Sequence, residues 1–234
     1  MICVATYFWR DPERDNQRRG YVFNHGHVRT LRNMVRRNLS VEHKFICVSD
    51  EPIGDIATVP LDWRKHVPGT VCLRLMQHNP DWCRANLGER VLSLDLDVVI
   101  TGSLDAIASR PEPIVLWRNP NFGKPGRAFY QSSVQLFSAG ARPQLWDDFI
   151  PGESDAWFNW RFGGKEQAWI SERLQWNEAY FDHTHGIYGA GRLGSAGVGS
   201  ELPDNACIVS FPGAREPSQP QTQAAHSWIK DHYW

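Results

Sequence analysis

An α/β domain, with a central sheet flanked by helices, is the fold class this sequence predicts. Three observations carry it. The chain opens on a β-branched and aromatic run, residues 2–8, that reads as a buried strand. Apolar residues then recur at helical spacing, at Val28, Leu31, Val35 and Leu39. A second short apolar run follows at 45–49, so strand, helix and strand alternate. The 234 residues can bury a sizeable core. No internal repeat or low-complexity linker interrupts them, so a single domain over residues 1–234 is expected.

Each element has a local reason. Trp9-Arg10-Asp11-Pro12 breaks the first strand, and a charged loop runs to Gly20. On the helix that follows, Arg29, Arg32 and Arg36 repeat the apolar spacing one residue along, with Arg37 beside them. Through residue 44 there are nine Lys and Arg (Arg14, Arg18 and Arg19 among them) against four Asp and Glu. The whole chain carries a net charge of −1, so the excess is local. Asp50-Glu51-Pro52 closes the second strand, and residues 71–76 suit a strand or a helix equally. Residues 91–96 form a strongly apolar strand that runs into Asp95-Leu96-Asp97. Further strands are expected at 114–117, 133–137 and 207–211, and helices at 143–149 and 166–174. Six glycines between 186 and 199 predict an irregular loop, suited to a mobile lid. The polar-aromatic tail, 224–234, is expected to pack on the body.

Composition narrows the class. With 41% hydrophobic and 22% charged residues the chain is not disordered. No run approaches the ~18 apolar residues of a membrane span, and the N-terminus lacks the basic start of a signal peptide. A cytoplasmic protein is the expectation. The five cysteines show no C-x-x-C spacing and predict buried free thiols. Eleven tryptophans are more than usual, and half-exposed Trp suits sugar or nucleobase pockets. A lone H-x-H at His183-Thr184-His185 has no third ligand nearby and reads as a loop.

The carboxylate pair is the informative feature. In an extended chain, residues i and i+2 point to one face, so Asp95 and Asp97 would share it. Two buried carboxylates repel, and a divalent cation removes that penalty. Oxygen ligands plus substrate phosphates suit Mg²⁺ or Mn²⁺. The end of an apolar strand is also where open α/β sheets bind ligands.

The block 94–105, Leu94-Asp95-Leu96-Asp97-Val98-Val99-Ile100 through Asp105, resembles the D-x-D segment of nucleotide-sugar glycosyltransferases of the GT-A fold, in particular the glycogenin and galactosyltransferase-like retaining group. Other segments resemble that family in order: residues 3–7 its first strand, Leu73-Arg74-Leu75 its basic segment, Tyr130-Gln131-Ser132-Ser133-Val134 its F-N-S-G-V, Gly164-Lys165-Glu166-Gln167 its G-G-D-Q, and residues 210–217 its H-F-x-G-x-x-K-P. The resemblance implies a single GT-A-like domain with a mixed, mostly parallel sheet. It implies a nucleotide-binding part over roughly 1–105 and a donor-sugar and acceptor part over roughly 106–234.

From it follow the site expectations. Asp95, Asp97 and Ser210 would hold Mn²⁺ or Mg²⁺. Ala5, Thr6, Tyr7, Arg10, Arg74, Asp95, Ser132, Gly213 and Arg215 would bind the nucleotide and donor, a UDP-sugar, with Tyr7 stacked on the base. Glu166, Gln167 and Asp95 would serve the chemistry, Glu166 orienting sugar hydroxyls. If the enzyme inverts, Glu166 or Asp182 would be the base. The sequence departs from the family where Ser210 replaces His, Glu216 replaces Lys, Glu166 replaces Asp and Gln131 replaces Asn. The expected acceptor is a glycan or lipid-linked glycan, or a hydroxymethylated DNA base as in phage-type systems with Arg29, Arg32 and Arg36 along the backbone, with a protein or small molecule also open. Two other classes compete: a divalent-metal phosphoryl-transfer enzyme or nuclease, and a non-catalytic sugar-binding module on the same fold. A dinucleotide oxidoreductase is excluded, because no Gly-rich turn follows the first strand.

Overall fold

In a computed structural model, the residues described are 1–10, 23–66, 71–122, 127–154, 166–190, 197–211, 213 and 215–234. The first strand, β1 (Ile2–Phe8), is buried at every position. Helix α1 (His25–Asn38) follows and packs Val28, Leu31, Met34 and Val35 inward. Asn24 caps it: its side chain accepts from the Gly26 amide, and the His27 imidazole accepts from the Asn24 amide. β2 (His43–Ser49) and β3 (Ala57–Pro60) come next, then a 3-10 helix, Cys72–His78, and helix α2 (Pro80–Asn86). β4 (Arg90–Leu94) and β5 (Val98–Ile100) flank the carboxylate pair. After α3 (Asp105–Ala108) come β6 (Ile114–Arg118), β7 (Tyr130–Ser138), α4 (Gln144–Asp147), α5 (Glu166–Leu174) and β8 (Ala179–Phe181). β9 (Ile187–Ala190), β10 (Gly197–Val198), β11 (Ile208–Ser210), α6 (Pro220–Ala225) and α7 (Ile229–His232) complete the chain.

Seven strands form the main sheet in the order β3-β2-β1-β4-β7-β6-β8. The β1 pairs with β2 and β4, the β2–β3 pair and the β6–β8 pair are parallel. β7 lies antiparallel between β4 and β6. The sheet is therefore mixed and mostly parallel, as expected. The chain moves outward from β1 to β3 and returns to β4 on the other side of β1. That reversal makes a topological switch point between β1 and β4, where their carboxyl ends open a crevice. A smaller sheet, β10-β9-β11-β5, takes over after the turn.

The core has two parts, one on each face of the main sheet. One gathers α1, β5 and β11 residues, including Leu31, Ile100 and Val209. The other gathers the 3-10 helix, α2, α4 and α5, including Leu75, Leu87 and Trp169. The tail packs as expected, with Trp228 and Ile229 buried. Arg37, at the last turn of α1, stacks on Trp234 at 3.6 Å and donates to the carbonyls of His232 and Trp234. All five cysteines are free and buried. Among the described residues no helix is long and apolar enough to cross a membrane.

Three sequence expectations change. Of residues 71–76, Val71 caps the 3-10 helix and the rest lie in it. The D-x-D is not extended chain: β4 stops at Leu94 and residues 95–97 turn into the second sheet. Strand alternation therefore does not set the direction of its carboxylates. The glycine-rich segment is partly regular, because β9 pairs with both β10 and β11. Glycine tolerates a ladder when neighbours supply the pairing. Residues 191–196, the middle of the expected lid, lie outside the described residues.

One glycine is sterically required. Gly186 has φ +79°, and a Cβ there would stand 2.4 Å from the Asn205 carbonyl oxygen and 2.8 Å from Cys207 Sγ. Gly186→Ala is expected to destabilise the protein by more than the ~1–3 kcal/mol of a strained φ alone. Denaturant unfolding measures it, and a change below ~0.5 kcal/mol would contradict this packing.

Candidate functional site

The carboxyl ends of β1, β4, β6 and β8 share one edge of the sheet, because β7 alone runs against them there. Asp95 sits at that edge immediately after β4, its amide donating to the Ser133 carbonyl at 3.0 Å. Thr6 Oγ1 donates to the Leu94 carbonyl at 2.9 Å and ties β1 to the same point.

Arg74 organises the crevice from below. The 3-10 helix delivers it, buried, between β4, β7 and α5. One terminal nitrogen donates to Asp95, and the other donates to the Ser132 carbonyl at 2.9 Å. Its Nε lies 3.6 Å from a Glu166 carboxylate oxygen, and its guanidinium is 5.4 Å from the Tyr7 ring centroid. Burial pulls the Arg74 pKa down, but Asp95, Glu166, Tyr7 and Asp97 outweigh it and raise it above its ordinary value. The charge is permanent, so a cation is fixed beneath the D-x-D.

Asp97 lies on the far side of the turn. Its carbonyl accepts from the Phe211 amide at 2.8 Å, joining the turn to the end of β11. Ser210 pairs with Val98 in the β5–β11 ladder. Its Oγ is buried without a hydrogen-bond partner among the described residues. Such an orphaned oxygen, next to a carboxylate turn, suits a hard cation that takes oxygen ligands. No group of three His, Cys, Asp or Glu side chains gathers to hold a metal among the described residues. Two carboxylates and a hydroxyl would leave the remaining ligand positions to water or substrate phosphate.

Several expected site residues take other roles. Ala5 and Thr6 are fully buried inside β1, short of its end, so their side chains serve the sheet. Tyr7 is 6% exposed, within the core cluster and against Arg74. Burial pushes its phenol well above its ordinary value. Glu166 is fully enclosed at 0% exposure. Its carboxylate faces Arg74 and Gln135. Arg74 itself is held by Asp95 and the Ser132 carbonyl.

The remaining expected residues lie around the crevice. Gln167 is half-buried on the first turn of α5. Arg10 is exposed, with its amide donating to Asp50 at 3.0 Å and its Nε 3.4 Å from Glu51. Gly213, at φ +89°, and Arg215 are exposed beyond β11, while Glu216 is buried. On α1, Arg32 pairs with Asp55 at 2.7 Å, and the Arg29 guanidinium lies against Gly54. Arg29 and Arg36 are exposed on that face. Asp182 is held by Arg118 at 2.8 Å and caps the turn at His183–His185.

Sequence reading missed Gln135 and His78. Gln135, fully buried on β7, donates to Glu166 at 3.3 Å and to the Ser132 carbonyl at 3.1 Å. It fixes the carboxylate that faces Arg74. Its signal was a polar residue inside Val134-Gln135-Leu136-Phe137, an otherwise apolar strand. His78 lies behind it, 5.0 Å from the Phe137 ring. Burial drives its pKa down to about 3, with Gln135 opposing and Arg74 assisting, so it is neutral at physiological pH.

No family model matches this chain, and no curated protein matches its sequence. Solved structures do match its fold. The galactosyltransferase LgtC, solved with donor and acceptor sugar analogs, is similar at TM-score 0.57 and 12% identity over 98% of this chain and 94% of that one. The glycosyltransferase GlyE of Streptococcus pneumoniae TIGR4 matches at TM-score 0.65 and 11% identity, over 94% of this chain and 57% of its own. The bifunctional glycosyltransferase WbbM matches at 0.58 and 10%, over 98% and 50%. The protein has a GT-A-like glycosyltransferase fold.

Two outcomes test the buried layer. Arg74→Met should destabilise the protein by about 3–5 kcal/mol in denaturant unfolding, because it leaves Asp95 and Glu166 without their shared cation. His78 binds a proton far more weakly folded than unfolded, so its contribution is full above pH 6.5 and is lost as pH falls toward 3. The loss is about 1.4 kcal/mol per pH unit, and His78→Phe should lower the slope of unfolding free energy against pH by that amount. An unchanged slope would mean His78 titrates alike in both states.

Proposed function

We propose that this protein is a glycosyltransferase that moves a sugar from a nucleoside diphosphate, a UDP-sugar in the first instance, to an acceptor hydroxyl. The observation that carries the reading is the Asp95–Asp97 turn at the switch point of a GT-A-like sheet, with Arg74 buried against it. Sugar transfer leaves a diphosphate on which negative charge grows as the glycosidic bond breaks. Asp95, Asp97 and Ser210 would hold Mn²⁺ or Mg²⁺, which when bound supplies Lewis-acid stabilisation of that charge.

The chain's own residues do the rest. Arg74 holds Asp95 in one orientation and offsets its charge at the crevice. Glu166 and Gln135 fix Arg74 and shape the wall beneath the donor sugar. Arg10, which also meets Glu51, and Arg215 are exposed beyond β1 and β11 and would supply cationic donors to a diphosphate. Retention of configuration would need no dedicated base, since the departing phosphate oxygen can take the acceptor proton. Enclosure of Glu166 supports that course over one using it as base.

The acceptor we infer is a carbohydrate. The basic stripe that suggested DNA is offset where Arg32 meets Asp55 and Arg29 adjoins the same loop.

Thermal unfolding with UDP-, GDP- and CDP-sugars plus Mn²⁺ is the first test. A ligand at ~100 times its Kd adds ~2.7 kcal/mol, so a UDP-sugar should raise the Tm by several degrees. A shift with another nucleotide alone would correct the base and keep the class. Asp97→Ala should abolish donor-sugar hydrolysis, a loss of ~10²-fold or more, without lowering the Tm of the free protein, and EDTA should do the same. Full hydrolysis in EDTA would reject the metal-assisted reading.

A further inference from the structure

The same sheet edge carries a second concave feature, one strand beyond the crevice. A cavity of about 390 Å³ opens between the ends of β6 and β8, walled by Arg118, Asn119, Phe122, Phe129 and Asp182. Its polar groups are fixed. Arg118 donates to Asp182 at 2.8 Å and to the Tyr180 hydroxyl at 3.1 Å, and the Asn119 amide donates to the Ala128 carbonyl. Charge is balanced within it, since the guanidinium and carboxylate face one another.

Phe122 and Phe129 line its wall, and Trp176 stands next to both. Phe129 lies against Trp176 with centroids 5.9 Å apart and planes at 17°. Phe122 meets both edge-on, at 4.6 and 5.5 Å. Trp176 is 68% exposed and Phe122 42% exposed, so one indole face packs on Phe129 while the remainder meets water. Gln175, which ends α5 just before Trp176, has φ +54°, left-handed for a non-glycine residue. An exposed aromatic cluster beside a polar cavity is a feature suited to recognition.

We propose that Trp176, Phe122 and Phe129 form a platform that binds a sugar ring of the acceptor beyond the one that is modified, so that the acceptor is an oligosaccharide. A pyranose has an apolar C–H face that lies flat on an aromatic ring and a hydroxyl edge that meets paired carboxylate and guanidinium groups. The platform offers the first and the cavity the second. The paired charges give no net positive field for a phosphodiester chain. This inference rests on the glycosyl-transfer reading for its acceptor role, while the binding itself does not require that reading.

The test measures binding of mono-, di- and trisaccharides of glucose, galactose and N-acetylglucosamine by saturation-transfer NMR. In at least one series the second ring should tighten Kd by about tenfold. Trp176→Ala should reduce that gain to about twofold or less, and Trp176→Phe should keep most of it. Because Trp176 is exposed, its Ala variant should unfold within a few degrees of wild type, which separates loss of the platform from loss of the fold. No length-dependent gain in any series, or a gain that survives Trp176→Ala, overturns the proposal. So does binding of a single-stranded oligothymidine that Trp176→Ala removes while no sugar binds. If the platform binds sugars but no nucleotide sugar shifts the Tm, the platform stands and the transferase reading falls.

Discussion

A buried guanidinium ties this architecture together. Arg74 arrives on a 3-10 helix and meets three separate parts of the chain: the end of β4 through Asp95, β7 through the Ser132 carbonyl, and α5 through Glu166. Each partner would be costly to bury by itself. Two carboxylates near one permanent cation offset much of that cost, and the hydrogen bond to Ser132 uses a further donor. The polar layer around it continues through Gln135 to His78, which burial keeps neutral and so adds no competing charge. The crevice is therefore shaped from beneath, by groups that never reach solvent.

That arrangement divides labour between layers. Asp95 and Asp97 stand at the turn where the main sheet hands over to the smaller one, and Ser210 closes that turn from β11. These are the groups proposed to meet the metal and the diphosphate. Arg74, Glu166 and Gln135 face each other and hold the upper layer still. Preorganisation of this kind matters for transfer chemistry, because stabilising a growing diphosphate charge is worth most when the stabilising groups need no rearrangement. The Trp176 platform extends the same edge in the other direction, from the place where a bond would break toward the place where a longer acceptor would lie.

Much of this was legible from residues alone. β-branched runs marked β1, β2, β4, β6, β7 and β11 because a buried strand must be apolar on both faces, and the 3.6-residue spacing of Val28, Leu31 and Val35 marked α1. Asp95 and Asp97 stood out because charged residues at the end of an apolar strand need a reason. The free cysteines and the packed tail also followed from composition.

Burial and partner choice were decided only by the tertiary structure. Tyr7 and Glu166 are chemically suited to touch a ligand, yet the fold encloses both, one against Arg74 and the other inside α5 and β7. Arg29 and Arg32 looked like free positive charge until the loop after β2 brought Asp55 beside them. Gln135, Arg118 and Trp176 carried no spacing that sets them apart, since their meaning comes from residues far away in sequence. Local pattern fixes which side of an element is apolar, because that depends on neighbours within a few residues. Which polar groups meet, and which remain open to a ligand, depends on how distant elements are brought together, and that is a property of the whole fold.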